Sequence, residues 1–189
     1  MNIKLISGLG NNFPKYIYNR HNIGLIYIEK LVFFFKKNIF KIEKKKFGKI
    51  FYLNVKNNII HIFISNSYMN LIGKNIKLVL DYLSIINYSN ILIAYDEMNL
   101  IQGRSKIKFN KINSSHNGIK SIINNINNNK FYRIEIGIGK SINNTHNYLL
   151  TNFNINEKNK IYKSIEECIL ATDILINKGF IKSSKFLNN

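Results

Sequence analysis

The sequence predicts an α/β fold: a single domain with a twisted, mixed and mostly parallel sheet flanked by helices on both faces. Two observations predict it. Short segments rich in β-branched residues alternate with longer segments whose apolar residues recur at helical spacing. Such alternation is typical of parallel strands joined by helical crossovers. No linker or repeat divides residues 1–189, a length that suits one domain.

The predicted elements follow one another in a regular order. Strands are predicted where β-branched and aromatic residues cluster, at residues 3–7, 47–55, 59–65, 91–94, 106–109 and 134–138. Helices are predicted where apolar residues recur every three or four positions, at residues 21–35, 71–83, 119–126 and 157–177. Asn57 and Asn58 predict a hairpin turn, and the Asn-rich stretches 124–129 and 143–147 predict loops.

The chain is strongly basic. Its 28 Lys and Arg residues exceed its 10 Asp and Glu residues, which gives a formal net charge of +18. Such an excess attracts polyanions, so nucleic acid or an anionic membrane surface are the candidate partners. Biased codon usage explains the excess equally well, because Ile, Lys and Asn crowd this sequence. Charge alone leaves both explanations open.

Several classes of protein are excluded. The single cysteine, Cys168, excludes an internal disulfide, and its amphipathic surroundings predict a buried thiol. No apolar run approaches the roughly 18 to 20 residues that cross a bilayer. The start of the chain runs straight into a short strand, without the apolar region of a signal peptide. We therefore expect a soluble cytoplasmic protein.

The motifs of cofactors, metals and serine nucleophiles are missing. Gly8-Leu9-Gly10 lacks the third glycine of a dinucleotide site, since position 13 is Phe13. These glycines instead predict tight backbone turns at strand ends. No GxSxG occurs, and the four histidines, His21, His61, His116 and His146, stand apart in the sequence. We expect no cofactor and no metal, and water as the attacking group of any hydrolysis.

Four polar segments fall at strand ends or helix starts. Ligand crevices of α/β sheets lie beyond the carboxyl ends of the strands, so these segments could converge on one crevice. They are Gly8-Leu9-Gly10-Asn11 with Arg20-His21-Asn22, then Ser67-Tyr68-Met69-Asn70, then Tyr95-Asp96-Glu97, then His116-Asn117-Gly118.

Taken together, these segments resemble bacterial peptidyl-tRNA hydrolases. The family's GLGNPG and RHN-x-G motifs correspond to residues 8–13 and 20–24, and its T-[FY]-M-N-x-S-G motif to residues 67–73. Its HDELDLP, GGHNGL and FxRLRIGIG motifs correspond to residues 95–101, 114–119 and 131–139. The order and spacing of these motifs match those of the family from residue 3 to about residue 150.

The resemblance implies an enzyme and its substrate. The substrate would be peptidyl-tRNA, bound through its acceptor stem and terminal adenosine, and the bond cut would be the ester between peptide and ribose. The resemblance also implies a monomer that needs no metal. Two rivals remain: a non-catalytic RNA-binding relative of the same fold, and an unrelated basic hydrolase or peptidase.

The resemblance also implies a role for each site residue. His21 would be the general base, oriented by Asp96, and Asn117 would position water or steady the oxyanion. Asn70, with Met69 beside it, would hold the peptide, and Asn11 would read the acylated amino group. Tyr16 and Tyr68 would pack against the terminal nucleotide, with His116 as a supporting residue, and Lys106 and Lys108 would hold phosphates of the acceptor stem.

The sequence departs from the family pattern at several places. Asn12-Phe13 replaces Pro-Gly, and Ser114-Ser115 replaces the glycines before His116. Tyr95 stands where the family has histidine, and Glu135 where it has a basic residue, which puts one phosphate contact in doubt. Because the proposed catalytic residues are all present, the enzyme is favoured over the binding relative.

Overall fold

The computed structural model of the chain describes residues 3–11, 18–111, 115–140 and 144–189. Within these ranges seven strands form one sheet. They are β1 (Leu5–Gly8), β2 (Ile39–Lys45), β3 (Gly48–Val55), β4 (Asn58–Ser65), β5 (Ile91–Glu97), β6 (Ser105–Lys111) and β7 (Lys130–Gly137).

The sheet is mixed, with a parallel centre. Its strand order is β2-β3-β4-β1-β5-β7-β6. Strands β4, β1, β5 and β7 pair in parallel, whereas β2, β3 and β6 each form antiparallel pairs with their neighbours. Only β3 and β6 therefore run against the common direction. The predicted fold class is confirmed.

Helices cover both faces of this sheet. Helix α1 (Ile23–Phe34) and the long α5 (Ile155–Lys178) pack on one face, and α2 (Ile72–Tyr82) and α3 (Asn117–Ile126) pack on the other. Two short helices, α4 (Thr145–Leu149) and α6 (Phe180–Leu187), lie near the carboxyl terminus. Cys168 is buried in α5, as predicted, and burial raises the pKa of its thiol.

Three elements differ from the predictions. Strand β2 was missed because it is an edge strand whose lysines hide the alternation of apolar residues. Residues 145–147, predicted as a loop, belong to α4, which begins where the Asn144 side chain accepts the Asn147 N–H. The short helix α6 was also missed. The hairpin turn lies at Lys56 and Asn57, one residue earlier than predicted.

The first glycines serve close packing rather than a tight turn. Neither Gly8 nor Gly10 has a positive φ, so the predicted reason for them is wrong. A Cβ atom on Gly8 would lie 1.9 Å from the carbonyl oxygen of Gly24, and one on Gly24 would lie 2.4 Å from that of Ala94. The start of α1 can therefore press against β1 and β5, which brings His21 over the end of β5.

None of the helices in the described ranges combines the length and the apolar character that crossing a membrane requires.

Candidate active site

The polar segments found in the sequence meet at one edge of the sheet. The carboxyl ends of β1, β4 and β5 lie side by side there, because these strands pair in parallel. Asn11 follows β1, residues 67–70 follow β4, and Asp96 is the next-to-last residue of β5. The start of α3 brings His116 and Asn117 to the same edge. Parallel pairing thus gathers residues that are far apart in the sequence.

Asp96 joins two histidines at this edge. Its Oδ1 atom lies 2.9 Å from Nδ1 of His21 and 2.9 Å from Nε2 of His116. The carboxyl is 4% exposed, so water competes little for these contacts. An ionised carboxylate only accepts hydrogen bonds, so each of these two ring nitrogens donates to it. His21 and Asp96 therefore meet, as the sequence predicted, and His116 shares the same oxygen atom.

The hydrogen-bond network assigns one tautomer to His116. Its Nδ1 atom accepts the backbone N–H groups of Gly118 and Ile119 at 3.1 and 3.3 Å. A ring nitrogen that accepts carries no proton, so the proton of the neutral ring lies on Nε2 and faces Asp96. His116 both caps α3 and donates to the carboxylate, a double role that its place in the sequence did not reveal.

His21 presents the opposite edge of its ring to the cleft. Its Nδ1 atom donates to Asp96, which leaves the lone pair of the neutral ring on Nε2. Nε2 has no hydrogen-bond partner among the residues that the structure describes. The side chain is 13% exposed, enough for water to reach it. A ring oriented by a carboxylate on one nitrogen and open at the other is suited to general-base chemistry.

Two opposing influences act on the pKa of Asp96. Burial acts against ionisation, but the interactions with His116 and His21 outweigh it and hold the pKa of this carboxyl well below its usual range. Asp96 therefore stays ionised throughout the pH range in which imidazole titrates.

The same three side chains could in principle hold a metal ion. Within the described ranges, His21, Asp96 and His116 are the group whose ligand atoms lie close together, within 4.8 Å of one another. Both ring nitrogens facing Asp96 carry protons here, so a metal ion would have to displace two hydrogen bonds. Hydrogen bonding already accounts for these donor atoms, and the expected lack of a metal stays a prediction.

Asn11 is held rigidly beside this group. Its backbone N–H donates to Oδ1 of Asn22 at 2.7 Å, and Nδ2 of Asn22 donates to its carbonyl oxygen at 3.0 Å. Its side-chain Oδ1 accepts the N–H of Met69 at 2.7 Å. The last contact sets the orientation of the amide, so Nδ2 is the group left for a ligand. Asn22 is fully buried, and its place directly after His21 was the only signal of its bracing role.

A cleft of about 460 Å³ opens in front of His21. Most of the residues predicted to contact substrate line it: Asn11, His21, Tyr68, Met69, Asn70 and Asn117. A narrower cleft of about 180 Å³ shares His21 and Asn117 and reaches Asp96 and His116. The first cleft is also lined by three residues of the α4 region to which no sequence motif pointed: His146, Leu149 and Leu150.

Size alone does not identify the site. A larger cleft of about 580 Å³ lies at the amino ends of the central strands, where Lys4, Tyr52 and His61 line it. Among the residues that the structure describes, His61 pairs with no carboxylate; its Nδ1 lies 3.0 Å from the carbonyl oxygen of Lys4. The imidazole in this cleft is thus oriented by a neutral carbonyl group, whereas that of His21 is oriented by a carboxylate.

Arg20 ties the site to the carboxyl-terminal helices. It is 7% exposed, and its NH2 group donates to both carboxylate oxygens of Glu157 at 3.1 and 2.9 Å. Its guanidinium carbon also lies 4.5 Å from the ring centre of Tyr148 and 4.8 Å from that of Phe153. The turn that carries His21 is thereby anchored to α4 and α5, a contact between residues 137 positions apart.

Comparison with known proteins agrees with this geometry. A family model for peptidyl-tRNA hydrolase matches residues 5–189.

The chain belongs to the peptidyl-tRNA hydrolase family.

Relatives within the family cover nearly all of the chain. The peptidyl-tRNA hydrolase of Wigglesworthia glossinidia brevipalpis is 40% identical over 185 residues, covering 95% of this chain and 94% of the relative. That of Buchnera aphidicola subsp. Acyrthosiphon pisum (strain APS) is 39% identical over 168 residues, covering 87% and 94%. The crystal structure of the Acinetobacter baumannii peptidyl-tRNA hydrolase has a TM-score of 0.90 and 26% identity, covering 99% of this chain and 95% of that one.

Family membership confirms the activity predicted from the sequence. The chain is an enzyme that hydrolyses the ester bond between peptide and tRNA in peptidyl-tRNA. The matched relatives are named as hydrolases, so the non-catalytic alternative gains no support.

Two departures from the family pattern contact each other. Tyr95 and Glu135 are register partners on β5 and β7, and the Tyr95 hydroxyl donates to Oε1 of Glu135 at 3.1 Å. Glu135, only 4% exposed, also accepts from Nε of Arg133 at 2.8 Å. The ring of Tyr95 lies 5.0 Å from that of His116. The two exchanges thus form one buried unit behind the active site.

The predicted phosphate-binding lysines lie away from the cleft. Lys106 and Lys108 are on β6, and neither lines the clefts around His21. Nζ of Lys108 lies 2.7 Å from Oε2 of Glu135, so a buried carboxylate offsets its charge. Lys106 makes no ion pair with any residue of the described ranges. Tyr16 and Ser114 lie outside the described residues.

Proposed function

We propose that this chain hydrolyses peptidyl-tRNA by general-base catalysis, with His21 activating the attacking water. The observation that carries the proposal is the His21 ring, oriented by Asp96 through Nδ1 and open to the cleft at Nε2. A base of this kind contributes about 100- to 10,000-fold to the rate. The test is peptide release from N-blocked aminoacyl-tRNA by the wild type and by His21 variants.

The reaction would proceed in two steps. Nε2 of His21 takes a proton from water as its oxygen adds to the ester carbonyl carbon, and the carbonyl oxygen becomes an oxyanion. The intermediate then collapses, the bond to the ribose oxygen breaks, and the imidazolium returns its proton to that oxygen. The products are tRNA with a free ribose hydroxyl and a peptide with a free carboxyl group.

Asp96 and Asn117 assist these steps in different ways. The Asp96 carboxylate stabilises the imidazolium that forms on His21 and holds its tautomer. Asn117 lines both clefts at the first turn of α3, so its amide N–H can donate to the oxyanion. The positive end of the α3 dipole also favours negative charge at this position.

The cleft would hold the terminal adenosine and the last residue of the peptide. Tyr68 is 50% exposed at the rim of the cleft, and an exposed aromatic ring can stack on an unpaired base. Asn70 and the buried Met69 would hold the peptide near the scissile carbonyl. We propose that the chain works as a single-domain monomer on the acceptor end of the tRNA.

Asn11 would distinguish peptidyl-tRNA from aminoacyl-tRNA. Its Oδ1 is occupied by the Met69 N–H, so its Nδ2 faces the ligand as a donor. An acylated amino group offers this donor a carbonyl oxygen, whereas a free ammonium offers only further protons. We expect Asn11→Asp to attack unblocked aminoacyl-tRNA at least about 10-fold more readily relative to blocked substrate, since a buried unmatched donor costs about 1–3 kcal/mol. Paired rate measurements on blocked and unblocked aminoacyl-tRNA check this.

Asn11→Asp is a sharp test because it keeps the structural contact. One carboxylate oxygen can still accept the Met69 N–H, and the other replaces the donor with an acceptor that attracts an ammonium. Asn58→Asp, which makes the same change of charge at the exposed start of β4 and outside the clefts around His21, is the control. Unchanged discrimination in Asn11→Asp would end this assignment.

The two β6 lysines are expected to differ in their contribution to tRNA binding. Each phosphate contact contributes about 0.7 to 0.9 to the slope of log affinity against log salt. We expect Lys106→Gln to reduce that slope by about this amount. Lys108→Gln should reduce it by less than half as much, because Glu135 already offsets the Lys108 charge. Salt titrations of tRNA binding distinguish the two, and equal slopes would contradict the interpretation.

A further inference from the structure

The hairpin of β2 and β3 carries the densest positive charge in the chain. Residues 36–56 contain eight lysines and a single acidic residue, Glu43. Half of these lysines stand within six positions at the connection between the two strands: Lys44, Lys45, Lys46 and Lys49. We call residues 44–49 the basic turn. Its charge is distinct from that of Lys106 and Lys108, which lie on the opposite edge strand of the sheet.

The basic turn lies at the same edge of the sheet as the active site. Strand β2 runs in the common direction of the parallel strands, so its last residues lie at their carboxyl ends. Gly48 pairs with Ser65, the last residue of β4, and β4 leads into the segment that carries Met69. At about 4.8 Å per strand, the three or four strand spacings from β5 place the basic turn roughly 14–19 Å to the side of Asp96.

Two asparagines hold the basic turn in position. Nδ2 of Asn75, in α2, donates to the carbonyl oxygen of Phe47 at 2.8 Å and to Oγ of Ser65 at 2.9 Å. Nδ2 of Asn66 donates to the carbonyl oxygen of Lys46. The basic turn is therefore bonded to the same segment, residues 65–75, that lines the active-site cleft.

Within the described ranges, Lys45 is the one lysine of this turn that forms an ion pair, with Glu43 at 4.0 Å. Glu43 lies closer to Nζ of Lys41, at 2.8 Å, and also accepts from the hydroxyl groups of Tyr52 and Tyr82. Lys44 and Lys46 are exposed and make no ion pair in the part of the chain that the structure describes. Lys74, exposed in the first turn of α2, directly precedes Asn75, which bonds to Phe47 of the basic turn, and so adds a third cation to this region. Lys108, by contrast, is paired with a buried carboxylate.

We infer that the basic turn, with Lys74, is a second tRNA-binding surface that contacts backbone phosphates while the cleft holds the terminal adenosine. The inference rests on the proposed function, because it places the tRNA by reference to the His21 cleft. Lys44, Lys46 and Lys74 are exposed and form no ion pair among the described residues, so they are available to a polyanion. Phosphate contacts of this kind are independent of base sequence. The tRNA would then cross the edge of the sheet on the side of β4, β3 and β2.

The test compares two triple variants with the same loss of charge. Lys44→Gln/Lys46→Gln/Lys74→Gln removes the proposed contacts. The control removes three exposed lysines at the other end of the same strands, just before β2 and in the β3–β4 turn: Lys36→Gln, Lys37→Gln and Lys56→Gln. Binding of deacylated tRNA is measured over a range of salt concentrations, and hydrolysis is measured on N-blocked aminoacyl-tRNA and on the N-blocked aminoacyl ester of adenosine, which has no phosphates.

We expect the Lys44/Lys46/Lys74 variant to reduce the slope of log affinity against log salt concentration by about 2 to 3, at roughly 0.7 to 0.9 per lost contact. It should also weaken tRNA binding on the order of 10-fold. It should hydrolyse the adenosine ester at the wild-type rate, and the control variant should bind tRNA nearly as the wild type does. If both variants weakened tRNA binding equally, the effect would depend only on net charge, and the inference would be overturned. An unchanged slope or a slower reaction with the adenosine ester would also overturn it.

These outcomes are separate from failure of the proposed mechanism. His21→Ala should lose hydrolysis of both substrates while its tRNA binding stays unchanged. If His21→Ala hydrolysed the adenosine ester normally, the mechanism would fail whatever the lysine variants did.

Discussion

His21→Ala should lower kcat for peptide release from N-blocked aminoacyl-tRNA by about 100- to 10,000-fold, because it removes the base that takes the proton from water. KM should change little, since the phosphate and base contacts of the tRNA lie elsewhere. Single-turnover hydrolysis with enzyme in excess measures this effect without interference from product release. Added imidazole should restore part of the rate if it can enter the space that His21 vacates.

A second variant, His21→Asn, tests the role of the Nε2 atom of His21 alone. His21→Asn keeps a donor to Asp96 in the place of Nδ1 but has nothing in the place of Nε2. His61→Asn is the matched control, because His61 also uses Nδ1 in a hydrogen bond and lies at the other edge of the sheet. We expect His21→Asn to be as inactive as His21→Ala and His61→Asn to be active. Near-normal release by His21→Asn would remove Nε2 from the mechanism.

Asp96→Asn should lower kcat by up to about 10,000-fold, the loss found when the carboxylate of the catalytic His–Asp pair of a serine protease becomes an amide. The amide has nearly the same shape, but it cannot supply the negative charge that stabilises the imidazolium form of His21. It also leaves two ring N–H donors, of His21 and His116, facing a single neutral acceptor. Hydrolysis assays across pH 5 to 9 measure the loss.

The pH dependence gives this prediction a direction. In the wild type the pKa of Asp96 is held below its usual range, so loss of activity on the acid side reports protonation of the base. Removing the negative charge makes protonation of the neighbouring ring less favourable, so the acid limb should move to lower pH. Glu97→Gln is the control, because the Glu97 carboxylate accepts from Asn99 instead. An acid limb that stays in place in Asp96→Asn would contradict the proposed coupling.

Two of the residues that depart from the family pattern compensate for each other within the fold. Tyr95 and Glu135 each depart from the family residue, and they hydrogen-bond to each other across neighbouring strands. A buried carboxylate is tolerated there because Arg133 and Lys108 supply two cations, which hold the pKa of Glu135 below its usual value against the effect of burial. Exchange of Glu135 alone would remove the acceptor of the buried Tyr95 hydroxyl.

The sequence by itself determined the order of strands and helices and the residues that carry the chemistry. Apolar periodicity is local, so it located the central strands and the longer helices. Because parallel strands end at a common edge, polar residues after successive strands could be expected to meet, as Asn11, Asp96 and Asn117 do. The same reasoning failed for β2, whose edge position allows lysines that mask the alternation.

Only the tertiary structure decided which side chains share a proton or offset a charge. The second hydrogen bond of Asp96, from His116, joins residues 20 positions apart. The ion pair that offsets Lys108 and the anchoring of the basic turn to α2 depend on strand register and helix packing. These contacts require distances of about 3 Å between groups on different elements. The periodicity of a sequence predicts which face of a strand or helix a side chain lies on. It does not predict which side chain of a neighbouring element lies opposite.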